Sequence, residues 1–260
     1  MATHLYPYST GSASARLLAR AMGLQRIKRE RSRYQPRATD VIVNWGCSVF
    51  RHPTHPARVV NSEQAVQVAS NKLFTFTVLR QNNLPVPEWT TDKQVAQTWL
   101  RGGNTVFGRD SATASEGRYI TVYSGAAPEQ ALRDHMFYTK KFKCQVELRI
   151  HMFRDGSYHI QRKAKRNNWR ADYGHNPNAN DIRNHSNGYC FIVGDTNPDR
   201  LPYDPAITSC HRAVQALGLD FGAFDVLVKS NGSHVILECN TAPGIEGSTI
   251  AFYHENLARI

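Results

Sequence analysis

The stretch from Phe224 to Gly244 constrains this chain more than any other. Phe224-Asp225-Val226-Leu227-Val228 and Val235-Ile236-Leu237-Glu238-Cys239 are apolar, β-branched runs, and Asn231-Gly232 between them is a turn signal that closes a hairpin. Strand alternation sets Glu238 and Asn240, two residues apart, on one face, and the antiparallel partner brings Asp225 beside them. Two carboxylates and an amide oxygen, with no thiolate or imidazole nearby, form a hard donor set suited to magnesium shared with phosphates. The alternative is that Glu238 and Asn240 are ordinary strand-end and turn polar residues.

A second hairpin surrounds Asp155-Gly156, with Gln145 to Phe153 and Ser157 to Gln161 as its arms. Two antiparallel hairpins imply a mixed sheet. At the other end, Ser9 to Met22 reads as a helix with a Ser or Thr near its N-cap, and Asp40 to Gly46 as a short strand. This α/β start of about 60 residues is short for a Rossmann-type half. Asn61-Ser62-Glu63 then caps a helix whose Ala65, Val68, Ala69, Leu73, Phe76 and Leu79 recur at steps of three and four, and which ends at Asn82-Asn83. Lys72 lies beside that stripe. Thr105 to Arg109 is a strand running into the small-residue loop Asp110 to Gly117, followed by a strand from Tyr119 to Tyr123, an arrangement fit to cover a phosphate. Asn167 to Asn187 has little periodicity and reads as a long loop that orders on substrate binding, and Asp204 to Leu217 as one more helix.

Lys and Arg outnumber Asp and Glu by 32 to 21, giving a net charge of +11 that suits nucleic acid, an anionic membrane, a nucleoside triphosphate or an acidic peptide. Six of the twelve residues from Arg26 to Arg37 are basic, which reads either as a solvated face or as an anion site. The five cysteines are odd in number and include no CxxC pair, which argues against a zinc ribbon or a secreted disulfide framework and for a reducing, cytoplasmic compartment. No run of 18 apolar residues exists and the N-terminus lacks a signal-peptide pattern, so membrane spanning and export are not expected. His52, His55, His175, His185 and His211 have no carboxylate or Cys at metal spacing and read as surface or hydrogen-bonded histidines. Trp45, Trp89, Trp99 and Trp169 read as packing residues.

VILECNTAPGIEGST, together with FDVLV, resembles the final signature of the ATP-grasp ligases, the superfamily of D-alanine:D-alanine ligase, glutathione synthetase and ribosomal-protein glutamate ligase. The resemblance runs in order from about Asn61 to Ser248, through Asn71-Lys72, the strand ending at Arg109, the small-residue loop and KKFKCQVELRIHMFRDG. It implies an α/β protein with mixed sheets. Two α+β lobes, residues 61–139 with the phosphate flap and 140–260 with the metal site, would clasp ATP behind a truncated Rossmann-like segment of residues 1–60.

Carried over residue by residue, the resemblance implies that Asp225, Glu238 and Asn240 hold one or two magnesium ions, with manganese as a substitute, against the ATP phosphates. Lys72 would contact the phosphates, and the flap, with Ser111, Ser115 and Gly117, would close over them through backbone N–H groups. Lys140, Lys141, Phe142 and Lys143 resemble the linker that bonds adenine, and Glu147 matches the ribose-binding carboxylate. Where most relatives carry a phosphate-binding Lys before the flap, this chain has Arg109, which keeps the charge and binds phosphate bidentately. Arg149 occupies a place where related ligases also have an Arg. Of the cations Arg162, Lys163, Lys165 and Arg166, alternation puts Arg162 and Arg166 on one face and the lysines on the other; Arg162 is the expected contact to the transferred phosphoryl group. The competing reading is a solvated basic edge. Ser248 and Thr249 follow the turn after which such ligases bind the acceptor.

The activity implied is an ATP-dependent carboxylate–amine ligase that forms an amide or isopeptide bond through an acyl phosphate. Its substrate would be a small amino acid or an acidic peptide or protein. A polyanion- or nucleic-acid-binding protein on the same scaffold is the alternative from another class, and an ATP-grasp phosphotransferase or a ligase with a thiol acceptor the alternatives within the fold. No membrane partner is expected, nucleic acid is disfavoured by the retained carboxylates, and a homo-oligomer is open. The abbreviated form also resembles ATP-grasp proteins encoded by tailed bacteriophages, which would place it in a host cytoplasm.

Overall fold

Three sheets occupy successive stretches of the chain. The computed structural model describes residues 2–114, 117–127, 129, 131–167, 181–193 and 202–260. In the first stretch β1 (Thr3–Pro7), β2 (Gln25–Arg26), β3 (Val41–Trp45) and β4 (Arg58–Val60) run parallel in the order β2-β1-β3-β4. Helix α1 (Ala13–Ala21) makes the crossover from β1 to β2, and the Ser12 hydroxyl caps it by accepting from the Ala15 N–H at 3.3 Å. All five residues of β3 are buried, as a strand covered on both faces requires. Trp45 at its end packs on Phe221 and Tyr253, ring centroids 5.5 and 5.3 Å away, so this segment shares its core with the end of the chain. The next residue, Gly46, has φ of 77°, and a Cβ there would stand 2.6 Å from that of Ala242. Only glycine lets the first sheet approach the Asn240 turn so closely.

The helix expected from Glu63 to Gln81 is two helices, α2 (Glu63–Ser70) and α3 (Lys72–Gln81). Asn71 separates them because its backbone is extended, φ −108° and ψ 112°, and its Oδ1 accepts from the N–H groups of Leu73 and Phe74 at 3.0 and 3.2 Å. A side-chain cap thus outcompetes helix continuation, and Lys72 becomes the first residue of α3.

The second sheet, β5 (Trp89–Thr90), β6 (Val106–Arg109), β7 (Ile120–Tyr123) and β8 (Phe137–Lys140), is antiparallel in the order β5-β8-β6-β7. Helix α4 (Lys93–Arg101), with no counterpart in the sequence reading, packs Ala96 and Leu100 against Val106, Tyr123 and Tyr138.

The third sheet is also antiparallel, β11-β10-β9-β12-β13, built from β9 (Val146–Phe153), β10 (Tyr158–Lys165), β11 (Tyr189–Ile192), β12 (Phe221–Val228) and β13 (His234–Asn240). Parallel and antiparallel pairing are therefore both present, segregated between sheets. One face of the third sheet, with Leu148, Ile150, Phe224, Val226 and Ile236, packs on helix α5 (Asp204–Ala216) and on α2. The chain closes with α6 (Ser248–Leu257). Of the loop expected over 167–187, residues 168–180, with Trp169 and His175, lie outside the described residues; 181–187 end in a 3₁₀ turn, His185–Asn187, that leads into β11. Among the described residues, no helix is long and apolar enough to cross a membrane.

Candidate active site

The face of the third sheet opposite its core with α2 and α5, covered in part by α6, floors a cleft of about 1210 Å³. Two local features decide which side chains reach it. In the β9–β10 hairpin, Phe153 bonds to Ser157 across a three-residue loop in which Gly156 has φ of 92°, so Gln161 lies opposite Arg149 and Lys163 opposite Glu147. Odd-numbered residues of both strands then share the cleft face. In β12–β13 the register slips between Asp225 and Val226: Val226 pairs with Ile236 but Asp225 with Glu238. Leu237 is the extra residue. This bulge reverses the facing of the strand end, so that Ile236 stays in the core while Glu238 and Asn240 join Asp225 on the cleft side.

Three cation–carboxylate pairs cross the floor. Arg149 grips Asp225 bidentately, Nε to Oδ1 at 2.7 Å and Nη2 to Oδ2 at 2.9 Å, and stacks its guanidinium 3.9 Å from the centroid of Phe191. Lys163 pairs with Glu147, which Arg183 also approaches at 4.0 Å. Lys72 Nζ lies 3.0 Å from a Glu238 oxygen and donates to the Ala114 carbonyl at 3.0 Å, while its backbone N–H donates to the Ala112 carbonyl. Lys72 thus ties the β12–β13 hairpin to the small-residue loop. Burial pushes the Asp225 carboxyl up, but Arg149 and Lys163 more than offset this and hold it below the usual carboxylate range. Burial likewise pushes Glu147 up, and there it prevails over Lys163. Burial lowers the Arg109 guanidinium to about 10, against the pull of Glu238, which leaves it charged at neutral pH.

Asp225, Glu238 and Asn240 are brought together, but not as a closed metal cage. Among the described residues no three His, Cys, Asp or Glu side chains form a metal-holding group. Asp225 has both oxygens on Arg149, Glu238 has one on Lys72, and Asn240 Oδ1 accepts from the Ala242 N–H at 2.9 Å. Such oxygen donors fit a hard cation whose remaining ligands come from a phosphate.

Of the other expected residues, Lys72, Arg109, Gly117, Lys140, Lys141, Phe142, Glu147, Arg149 and Ser248 line the cleft. Four do not. Arg162 faces the other side of β10, opposite the core residue Leu148, because the three-residue loop gives the cleft face to Lys163. Lys143 is exposed outside the cleft. Ser111 accepts from the N–H groups of Thr113 and Ala114 at 3.2 and 3.1 Å and so shapes the base of the flap. Thr249 is fully buried and receives a hydrogen bond from Gln161 at 3.1 Å. Ser115 lies outside the described residues. Tyr8, Asp181, Arg183, Phe191 and Glu246, which are not among the expected site residues, also line the cleft. Asp181 pairs with Lys141, and no local motif announces either Asp181 or Arg183.

No protein-family model matches the chain, and no curated protein sequence matches it. Solved structures do. The ATP-grasp ligase PsnB, complexed with minimal precursor, Mg and ADP, superposes with a TM-score of 0.61 at 14% identity over 94% of this chain and 90% of that one. The macrocyclase MdnC from Microcystis aeruginosa, bound with precursor peptide MdnA, gives 0.64 at 14% identity over 100% of both chains. D-alanyl-alanine synthetase A from Vibrio cholerae gives 0.63 at 12% identity over 99% of this chain and 93% of that one. The chain has the ATP-grasp fold.

Beneath the ATP-grasp cleft lies a buried hydrogen-bond chain. Gln161 donates to Thr249 and accepts from His151 Nε2 at 3.0 Å, which leaves Nδ1 to accept from the Tyr253 hydroxyl at 3.1 Å. Burial lowers His151 to about 3, so the imidazole is neutral in the folded protein. The unfolded chain, with an ordinary histidine, binds one more proton between pH 6.5 and about 3. Stability from this group is therefore full above pH 6.5 and falls with pH across that window, by about 1.4 kcal/mol per pH unit at most. Urea unfolding at pH 7 and pH 5 checks this: wild type loses more stability between the two than His151→Asn, and equal losses contradict it.

Proposed function

We propose that this protein is an ATP- and magnesium-dependent carboxylate–amine ligase acting on a peptide or protein in a reducing cytoplasm. The reading divides the chain into residues 1–60, 61–139 and 140–260 as acceptor-side segment, flap lobe and metal lobe. The observation that carries it is the row of three ion pairs, Lys72–Glu238, Arg149–Asp225 and Lys163–Glu147, on one cleft floor beneath a flap of small residues. Paired this way the charges compensate one another; with nucleotide, Asp225 and Glu238 face a divalent cation while Lys72 and Lys163 face phosphate. The precursor peptides bound by PsnB and MdnC support a peptide substrate.

Magnesium, when bound, neutralises phosphate charge and aligns the transferring group. Asp225, Glu238 and Asn240 hold it, and Lys72 and Arg109 bind phosphate oxygens. Lys163, on the cleft face, takes the role expected of Arg162. Glu147 orients Lys163 and Arg183, while Lys140, Lys141 and Phe142 border the base. Ser248 and Glu246 stand on the acceptor side. A substrate carboxylate oxygen attacks the γ-phosphorus, and the bond to the β–γ bridging oxygen breaks with its electron pair leaving on ADP. A neutral amine then attacks the acyl phosphate carbonyl, phosphate departs, and the nitrogen gives its proton to solvent. Positioning and charge neutralisation are the whole contribution of the protein.

Hydroxylamine tests this directly, because it intercepts an acyl phosphate as a hydroxamate. With ATP, magnesium and a library of acidic peptides, ADP and peptide hydroxamate are expected in equal amounts. ADP release with no acyl group trapped would contradict the ligase reading.

A further inference from the structure

A second pocket, of about 600 Å³, opens beside β2 on the first sheet, lined in part by His4, Arg26, Lys28, Arg31, Arg33 and Tyr34. β2 is the outermost strand in the order β2-β1-β3-β4, so one row of its backbone N–H and C=O groups faces outward. Ile27 extends the pairing by donating to the Leu5 carbonyl at 2.8 Å and is buried; Arg26 and Lys28, on either side of it, are exposed and line the pocket, and Arg26 Nη1 donates to the Thr10 carbonyl at 3.4 Å. Glu30, the one acidic residue between Arg26 and Arg37, is taken by Arg51 at 2.6 Å. Among the described residues no carboxylate pairs with Lys28, Arg31 or Arg33, and all three are exposed. Arg31 is held at φ of 53°, a left-handed backbone that a non-glycine residue adopts only at an energetic cost.

We infer that this pocket docks an extended acidic peptide segment, added along the free edge of β2 with its Asp and Glu side chains on Arg26, Lys28, Arg31 and Arg33. Alternate residues of an extended strand recur about every 6.7 Å, so carboxylates two residues apart match the spacing of Arg26 and Lys28. Single-stranded nucleic acid fits less well, because it needs open aromatic faces. The two rings here, His4 and Tyr34, pack on each other at 4.6 Å, and the Tyr34 hydroxyl is spent on Asp40 at 2.9 Å. Between the pocket residues Lys28 and Arg31, Arg29 turns away from the pocket and donates to the carbonyl of Tyr8, which lines the cleft. His4 and Tyr8 are four residues apart, roughly 13 Å along an extended chain. Docking requires neither nucleotide nor magnesium and does not rest on the ligase reading.

The test is fluorescence anisotropy, without nucleotide, of a labelled peptide of about a dozen alternating Glu and Thr residues. Lys28→Glu/Arg31→Glu/Arg33→Glu is expected to weaken binding by at least about tenfold, whereas Arg16→Glu/Arg20→Glu/Arg101→Glu, the same charge change outside the pocket, leaves it unaltered. A Gln–Thr peptide should not bind. Unchanged binding by the triple variant, or equal binding of the Gln–Thr peptide, overturns the proposal. Tighter binding of a single-stranded oligonucleotide that displaces the peptide overturns the assignment to peptide. If the triple variant does not unfold cooperatively, Lys28→Gln/Arg33→Gln replaces it, with the same outcomes. Because nucleotide is absent, an inactive ligase leaves this result standing, and a failure here leaves the ligase reading untouched.

Discussion

Glu238→Gln is expected to lower ADP formation by about 10²–10³-fold while leaving the protein folded. Glutamine keeps the shape of the side chain and an oxygen for Lys72 Nζ, now 3.0 Å away, but removes the charge that a magnesium ion requires. Stability should change little, since the Glu238 side chain is 35% exposed and a pair of that kind contributes at most about 1 kcal/mol. Parallel measurements of ADP release and thermal unfolding separate the two effects. Undiminished activity in a folded variant would remove Glu238 from the metal site.

Arg149→Met should act in the opposite way, through the fold, with a loss of about 3–5 kcal/mol. The Asp225 side chain is 6% exposed and has both oxygens on the guanidinium, so deleting Arg149 leaves a buried carboxylate without its bidentate partner, with only the more distant charge of Lys163 to offset burial. Methionine retains an apolar contact to Phe191, which isolates the charge as the cause. Arg149→Met/Asp225→Leu, which removes both charges, should recover much of the loss. Urea denaturation of the three proteins decides it: a single variant that loses under about 1 kcal/mol would mean that Asp225 is solvated or protonated. Arg149→Lys should fall between, because an ammonium group cannot make the bidentate contact.

Much of this arrangement was legible in the sequence, because the elements that position the cleft are hairpins closed by Asn231-Gly232 and Asp155-Gly156 and helices with side-chain caps at Ser12 and Ser62. What was not legible turns on parity. A two-residue loop at Asp155-Gly156 would put Arg162 opposite Arg149; the observed three-residue loop puts Gln161 there and makes Lys163 the cleft cation. The bulge at Leu237 is a second such case. Counted outward from the Asn231-Gly232 turn without it, Asp225 would oppose Leu237, and Glu238 would point into the core. No residue type marks that position. Asn71 illustrates a different limit: its apolar neighbours keep helical spacing on both sides, and only the competition between its side chain and the helical backbone breaks the helix before Lys72. Asp181 and Arg183 reach the cleft from a segment without periodicity, where sequence spacing carries no information on position.

The central claim is that the carboxylates and cations of this floor form one magnesium–nucleotide site, and thermal unfolding with ATP, with and without magnesium, tests it most directly. At about 100 times its dissociation constant, Mg–ATP should stabilise the wild-type protein by about 2.7 kcal/mol. The account predicts that this stabilisation requires magnesium and disappears in Glu238→Gln. An equal shift without magnesium, or the same shift in both proteins, would contradict it.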